Sequence, residues 1–121
     1  GQIVATGVNH IERDNDPTAH AELVAIREAG KALKTADLSG CIVYASGEPC
    51  PMCQAAMFMS GIRDTYYAYS NADGAPYGFS TDHAVTELNK APADRENSTY
   101  IYVPESQIEP NVFVSWQRNQ H

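Results

Sequence analysis

Three side chains with the chemistry of zinc ligands lie in two short stretches of the sequence. His20 lies in the first stretch, and Cys50 and Cys53 form a C-x-x-C pair in the second. One imidazole and two thiolates fill three positions of a tetrahedral zinc ion and leave the fourth position for water. An open position is typical of a catalytic zinc site, because structural sites are closed by four protein ligands. The pattern therefore predicts a metal-dependent hydrolytic enzyme.

Glu22 is the carboxylate in this pattern that is not needed as a ligand. It lies two residues after His20, so its side chain can reach a water molecule beside the metal. Zinc makes the proton of such a water easy to remove, and a carboxylate can carry that proton to a leaving group. These parts fit the hydrolytic removal of an amino group, with Glu22 as the catalytic residue.

A structural zinc site is the alternative interpretation of the same ligands. It would need a fourth ligand, and His10 is the nearest further histidine, although we expect His10 to lie in a loop away from the metal. A non-catalytic, zinc-stabilised interaction module is the corresponding function from another class. Glu22 favours the enzyme, since a structural site has no use for that carboxylate.

The sequence around these residues resembles a known family. The H-x-E and P-C-x-x-C motifs are the signature of zinc nucleobase deaminases. The stretches DPTAHAE at 16–22, AIR at 25–27, EPCPMC at 48–53 and GF at 78–79 are similar to the guanine deaminase branch of the cytidine deaminase-like superfamily. The resemblance runs in order over about residues 1–90. It implies a Zn²⁺ cofactor and deamination of a nucleobase or a related aminated ring, with guanine to xanthine as the best single guess.

The resemblance also implies substrate-binding residues. Asn9 matches an asparagine that holds the ring in the relatives, and an amide can both donate to and accept from a base edge. Asp82 lies near an acidic position of guanine deaminases, although a serine and a threonine precede it where the relatives have two aspartates. Trp116 is expected in an amphipathic C-terminal helix that closes the site of its own or a neighbouring subunit. Cytosine, guanosine and tRNA adenosine deaminases share the zinc motifs, so the substrate stays open among them.

The elements that position these residues alternate between strands and helices. Residues 3–8 are rich in β-branched side chains and predict a strand that ends near Asn9. Asp16 and Pro17 predict a helix start, with His20 in or near its first turn. A strand at 41–46 and a helix that starts near Cys50 follow. We expect further strands at 64–70 and 99–103 and helices at 81–90 and after Pro110. This order predicts a three-layer α/β/α sandwich with a mixed, partly parallel central sheet.

Composition limits the compartment and the partners. The 121 residues suit a single domain. The net charge of −7, with only eight dispersed Lys and Arg, favours a small nucleobase or nucleoside over a nucleic acid as the substrate. Three cysteines, two of them in the metal pattern, favour a reducing cytoplasm over disulfides, and we expect Cys41 in a strand outside the site. The sequence has no apolar run that would span a membrane. Relatives are commonly dimers, so we expect a homodimer.

The family's initial helix and first strand have no counterpart before Gly1. We therefore expect residues 1–121 to form one zinc-dependent deaminase domain that is N-terminally incomplete or is completed by a partner.

Overall fold

The structure is a computed structural model that describes residues 1–104 and 111–119. Helices and strands alternate along it, as predicted for an α/β fold. The elements in chain order are α1 (Ile11–Asp14), α2 (Ala21–Leu33), β1 (Ile42–Gly47), α3 (Pro51–Met59), β2 (Asp64–Tyr69), α4 (Asn71–Gly74), α5 (Asp82–Leu88) and α6 (Val112–Asn119). Short 3₁₀ turns lie at Ala75–Tyr77 and Pro92–Asp94. In the described part of the chain, no helix has both the length and the apolar character needed to cross a bilayer.

The sheet of the described residues consists of β1 and β2. The two strands pair in parallel, from Ile42 opposite Asp64 to Gly47 opposite Tyr69, and α3 connects them. This confirms the predicted parallel strand-helix-strand unit. In parallel sheets, ligand-binding groups collect at the carboxyl ends of the strands. Cys50 follows the carboxyl end of β1 by three residues, so the predicted metal motif lies at that edge.

One small hydrophobic core lies where α2 and α3 pack together. Its buried members are Leu23, Leu38, Cys53, Met57 and Ile62. Leu23 comes from α2, and Cys53 and Met57 come from α3, so the core fixes the two helices against each other. Cys53 is both a core residue, with 0% of its surface exposed, and a predicted ligand. Core packing therefore determines where its sulfur lies.

The predicted strands at 3–8 and 99–103 are wrong. Both segments are irregular, and their apolar side chains are exposed, as shown by Ile3 at 86% and Tyr102 at 88%. β-Branched and aromatic residues favour extended backbone, but a strand also needs a neighbour to receive its hydrogen bonds. Gly7 instead lies against the backbone of α2.

The predicted start of the first long helix is also wrong. Asp16 was expected to cap it, but α2 begins at Ala21. The Asp16 carboxylate instead accepts hydrogen bonds from the Thr18 N–H at 2.9 Å and the Thr18 hydroxyl at 2.6 Å. This local turn competes with helix formation, as Asp side chains commonly do. The predicted elements at 41–46, 64–70, 81–90 and after Pro110, and the helix near Cys50, are confirmed to within a few residues.

Candidate active site

His20, Cys50 and Cys53 converge on one point, although 30 residues separate the first two in the sequence. The Nδ1 atom of His20 lies 3.6 Å from the Cys50 sulfur and 3.7 Å from the Cys53 sulfur, and the two sulfurs are 3.6 Å apart. A tetrahedral zinc, with Zn–S of about 2.3 Å and Zn–N of about 2.0 Å, places two sulfurs about 3.8 Å apart and a sulfur and a nitrogen about 3.5 Å apart. The three atoms therefore fit three corners of a zinc tetrahedron.

Helix N-termini present two of these ligands. His20 is the N-cap of α2 and Cys50 is the N-cap of α3, both with extended backbone angles. Neither side chain caps its own helix, so both remain directed to other partners. Pro51 occupies the first turn of α3, where its fixed φ suits the helix and its missing N–H costs nothing. The positive end of a helix dipole stabilises nearby negative charge, such as that of a metal-bound thiolate.

Glu22 lies beside the cluster in the first turn of α2. Burial raises the pKa of the Cys53 thiol, and the negative charge and a hydrogen bond of Glu22 raise that pKa further, together with the Cys50 thiol. The Glu22 carboxylate therefore lies close to the Cys53 sulfur, next to the three converging ligand atoms.

Arg27 stabilises the turn that leads into His20. Its guanidinium donates to the Thr18 hydroxyl at 2.9 Å and lies 3.9 Å from the Asp16 carboxylate. The His20 N–H in turn donates to the Thr18 carbonyl at 2.8 Å. One side chain from the second turn of α2 therefore supports the loop that holds the imidazole. The sequence pattern included Arg27 without indicating this role.

Asn9 lies in the exposed segment that precedes α1. Its side-chain oxygen accepts a hydrogen bond from the Ile11 N–H at 2.9 Å. The next residue, His10, donates its N–H to the carbonyl of Ala19 at 2.9 Å, which ties this segment to the residue before His20. With its oxygen bonded to Ile11, Asn9 has its NH₂ group available to donate to a ligand.

Asp82 and Trp116 are less closely tied to the cluster. Asp82 is exposed in the first turn of α5, a helix that contacts α3. Trp116 is 65% exposed on α6, which has at most slight contact with other described elements. Glu48 accepts from the Asn71 N–H at 3.1 Å and so caps α4 rather than the helix of the cysteines. The structure brings neither Asp82 nor Trp116 into contact with the metal cluster.

A parallel strand-helix-strand unit, with an open His-Cys-Cys zinc site and a glutamate beside it, defines a zinc-dependent hydrolytic deaminase. Comparison with known proteins agrees: residues 1–69 match the cytidine and deoxycytidylate deaminase zinc-binding region, and the chain belongs to this family. Its cofactor is accordingly zinc.

Three relatives illustrate the similarity. Guanine deaminase of Bacillus subtilis is 38% identical over 117 residues, which cover 97% of this chain and 74% of the relative. The crystal structure of that enzyme superimposes with a TM-score of 0.84 at 37% identity, over 98% of this chain and 74% of the other, which confirms the fold class. The tRNA-specific adenosine deaminase of Aquifex aeolicus is 43% identical over 68 residues, which cover 56% of this chain and 45% of the relative. A structure in complex with 2,6-diaminopurine matches with a TM-score of 0.59 at 35% identity, over 64% of this chain and 44% of the other.

Zinc binding is expected to release protons. The raised pKa of the Cys53 thiol keeps its proton in place at neutral pH without metal, whereas zinc binds the thiolate. The apparent zinc affinity should therefore increase with pH between 6 and 8, by up to about tenfold per pH unit for each proton released. Calorimetric titration in two buffers of different ionisation enthalpy measures the proton count directly. Cys41→Ser should give the same count, and a pH-independent affinity without proton release would contradict the expectation.

Proposed function

We propose that the protein hydrolyses guanine to xanthine and ammonia. The observation that carries the proposal is the 38% identity with a guanine deaminase across 97% of the chain, which includes the complete zinc motif and Glu22. The similarity to a protein solved in complex with 2,6-diaminopurine supports a purine ring as the class of ligand. We further propose that residues 1–121 act as one catalytic domain in a reducing compartment such as the cytoplasm, where the zinc-binding thiols stay reduced.

We propose a role for each of the site residues. His20, Cys50 and Cys53 hold zinc, which when bound makes a water molecule acidic enough to lose a proton near neutral pH. Glu22 takes one proton of the attacking water and passes it to a ring nitrogen. It then moves a second proton to the departing amine, so that a C–O bond replaces the C–N bond and ammonia leaves. Asn9 orients the ring through its NH₂ group. The family resemblance supports a substrate contact for Asp82 on α5 and Trp116 on α6.

The test is ammonia release by zinc-loaded protein from guanine, guanosine, cytosine, cytidine, adenine and ammeline. Turnover of guanine, with kcat/KM at least tenfold above that of each other compound, is the expected outcome. Preferential turnover of cytosine or a nucleoside would keep the deaminase class and overturn the guanine assignment. Zinc-loaded protein that is inactive on the whole panel would contradict the proposal.

A tRNA adenosine substrate is the second candidate, because a tRNA-specific adenosine deaminase is 43% identical to this chain over 68 residues. Charge disfavours it. Binding an RNA stem depends on neutralising several phosphates, and this chain carries 15 acidic residues against eight Lys and Arg. Deamination of a tRNA anticodon stem-loop, faster than that of free guanine, would reverse this preference.

Asn9→Asp is expected to weaken substrate binding without disturbing the local fold. Aspartate keeps the oxygen that accepts from the Ile11 N–H and removes the NH₂ donor. Loss of one such hydrogen bond, with a buried acceptor left unpaired on the ligand, costs about 1–3 kcal/mol, so the KM for guanine should increase roughly tenfold or more. Asn15→Asp makes the same charge change at the opposite end of α1 and should leave the KM within about twofold. An unchanged KM in Asn9→Asp would remove Asn9 from the site.

We also propose a homodimer. Parallel sheets are normally covered on both faces, yet Ile42, Tyr44 and Tyr66 share one face of the sheet and are exposed. The rings of Tyr44 and Tyr66 stack on each other, with centroids 5.3 Å apart. Sedimentation equilibrium should therefore give twice the mass of one chain.

If α6 closes a site in the dimer, Trp116→Ala should raise the KM for guanine, and an unchanged KM would count against that role.

A further inference from the structure

The backbone at Gly7 packs against α2 at a point where a side chain has no room. A Cβ atom on Gly7 would overlap the carbonyl oxygen of Ala21 and would lie 2.6 Å from the Ala25 nitrogen and 3.1 Å from the Ala25 Cα. All three are backbone atoms of the helix that carries Glu22, so no change of rotamer relieves the overlap. Ordinary contacts of carbon atoms are about 3.5–4.0 Å, so any side chain at Gly7 moves the segment by roughly 1 Å.

A second contact holds the same segment three residues later. The His10 N–H donates to the Ala19 carbonyl at 2.9 Å, directly before the imidazole of the metal cluster. Gly7 and His10 thus fix residues 7–10 against α2 and its leading loop at two points. Asn9 lies between these points, with its oxygen held by the Ile11 N–H. The position of its NH₂ group relative to the N-terminus of α2 is therefore fixed.

We propose that Gly7 is a positioning residue for substrate binding. By letting the backbone touch α2, it sets the distance between the Asn9 amide and the groups of the active site, His20 and Glu22. A displacement of about 1 Å between binding and reacting groups can cost on the order of 10²-fold in rate. The inference rests on the proposed function in one respect, the contact of Asn9 with the purine ring.

A double-mutant cycle of Gly7→Ala and Asn9→Asp tests the proposal, because a residue that acts through Asn9 must be coupled to it. Gly7→Ala alone should raise the KM for guanine at least tenfold while the protein still binds one zinc per chain. In the Asn9→Asp background the same change should raise the KM less than threefold. Gly47→Ala is the matched control, since a Cβ on Gly47 meets no atom within 4 Å, and its KM should stay within twofold. Equal effects of Gly7→Ala in both backgrounds, or an unchanged KM in the zinc-loaded variant, would overturn the proposal.

Hydrogen exchange separates this proposal from the proposed function. In Gly7→Ala, the His10 amide should lose at least tenfold of its protection, whereas the Ile62 amide, which donates to Met57 in the core at 2.9 Å, should be unaffected. If the wild-type protein is inactive on guanine, the proposed function fails and this exchange pattern alone decides whether Gly7 sets the segment's position.

If Gly7→Ala does not fold, native-state exchange of the wild type in low denaturant decides. A His10 amide that is protected in the folded protein supports a segment held against α2. Exchange of that amide at the rate of an unstructured chain contradicts it.

Discussion

Replacing Glu22 with alanine should lower kcat for guanine at least about 10³-fold while zinc content stays near one per chain. General acid–base groups contribute about 10²–10⁴-fold, and Glu22 is proposed to move more than one proton in each turnover. The carboxylate lies beside Cys53 but is not one of the three converging ligand atoms. The metal should therefore survive its removal.

Glu28→Ala is the matched control for this prediction. Glu28 is on the same helix, is exposed, and pairs only on the surface with Lys31 at 3.3 Å. Exposed pairs of this kind contribute at most about 1 kcal/mol to stability, so both kcat and zinc content should stay near wild type. Parallel measurement of ammonia release and of metal content resolves the two effects. Retained turnover in Glu22→Ala would contradict the proposed mechanism, and loss of zinc would make Glu22 a support of the metal site.

Cys53→Ser should strongly weaken zinc binding and, at limiting zinc, catalysis. A serine hydroxyl does not ionise at neutral pH and is a poor zinc ligand. The free energy of zinc binding at structural sites is about 10–16 kcal/mol in total, shared among all the ligands. Loss of one ligand should therefore lower the zinc affinity roughly 10³-fold. The effect should reach the fold as well, because Cys53 is fully buried among Leu23, Leu38, Met57 and Ile62. Thermal unfolding with and without zinc should show a metal-dependent shift in the wild type that the variant lacks.

Cys41→Ser provides the comparison for Cys53→Ser. Cys41 is a half-buried thiol next to β1 and lies outside the three-residue cluster of the described chain. Competition with a chromophoric chelator should give it a zinc affinity within a few fold of wild type. Equal losses of zinc in both variants would contradict the ligand assignment, since they would show a general effect of removing a thiol.

The chemistry of the site was predictable because it depends on residue types at short spacings. Two ligands at helix starts and a glutamate two residues after one of them can be recognised without knowledge of long-range contacts. The parallel unit from β1 to β2 was predictable for a related reason: two apolar strands with an intervening helix have few other ways to pair.

Predictions failed where long-range packing decided between alternatives. Residues 3–8 have the composition of a strand, but the contact of Gly7 with α2 is tertiary and no propensity describes it. An isolated glycine in a strand-like pattern is a known sign of close backbone approach, and it was the available signal for this role. Asp16 offered a helix cap in sequence, yet its side chain bonds Thr18 with Arg27 nearby, and α2 starts five residues later.

Titration of metal-free protein with zinc, while ammonia release from guanine is followed, tests the central claim most directly. The account predicts no turnover without metal, a linear increase in rate with added zinc, and a break at one zinc per chain. Turnover that does not require zinc, or zinc binding at one per chain without any release of ammonia, would contradict it.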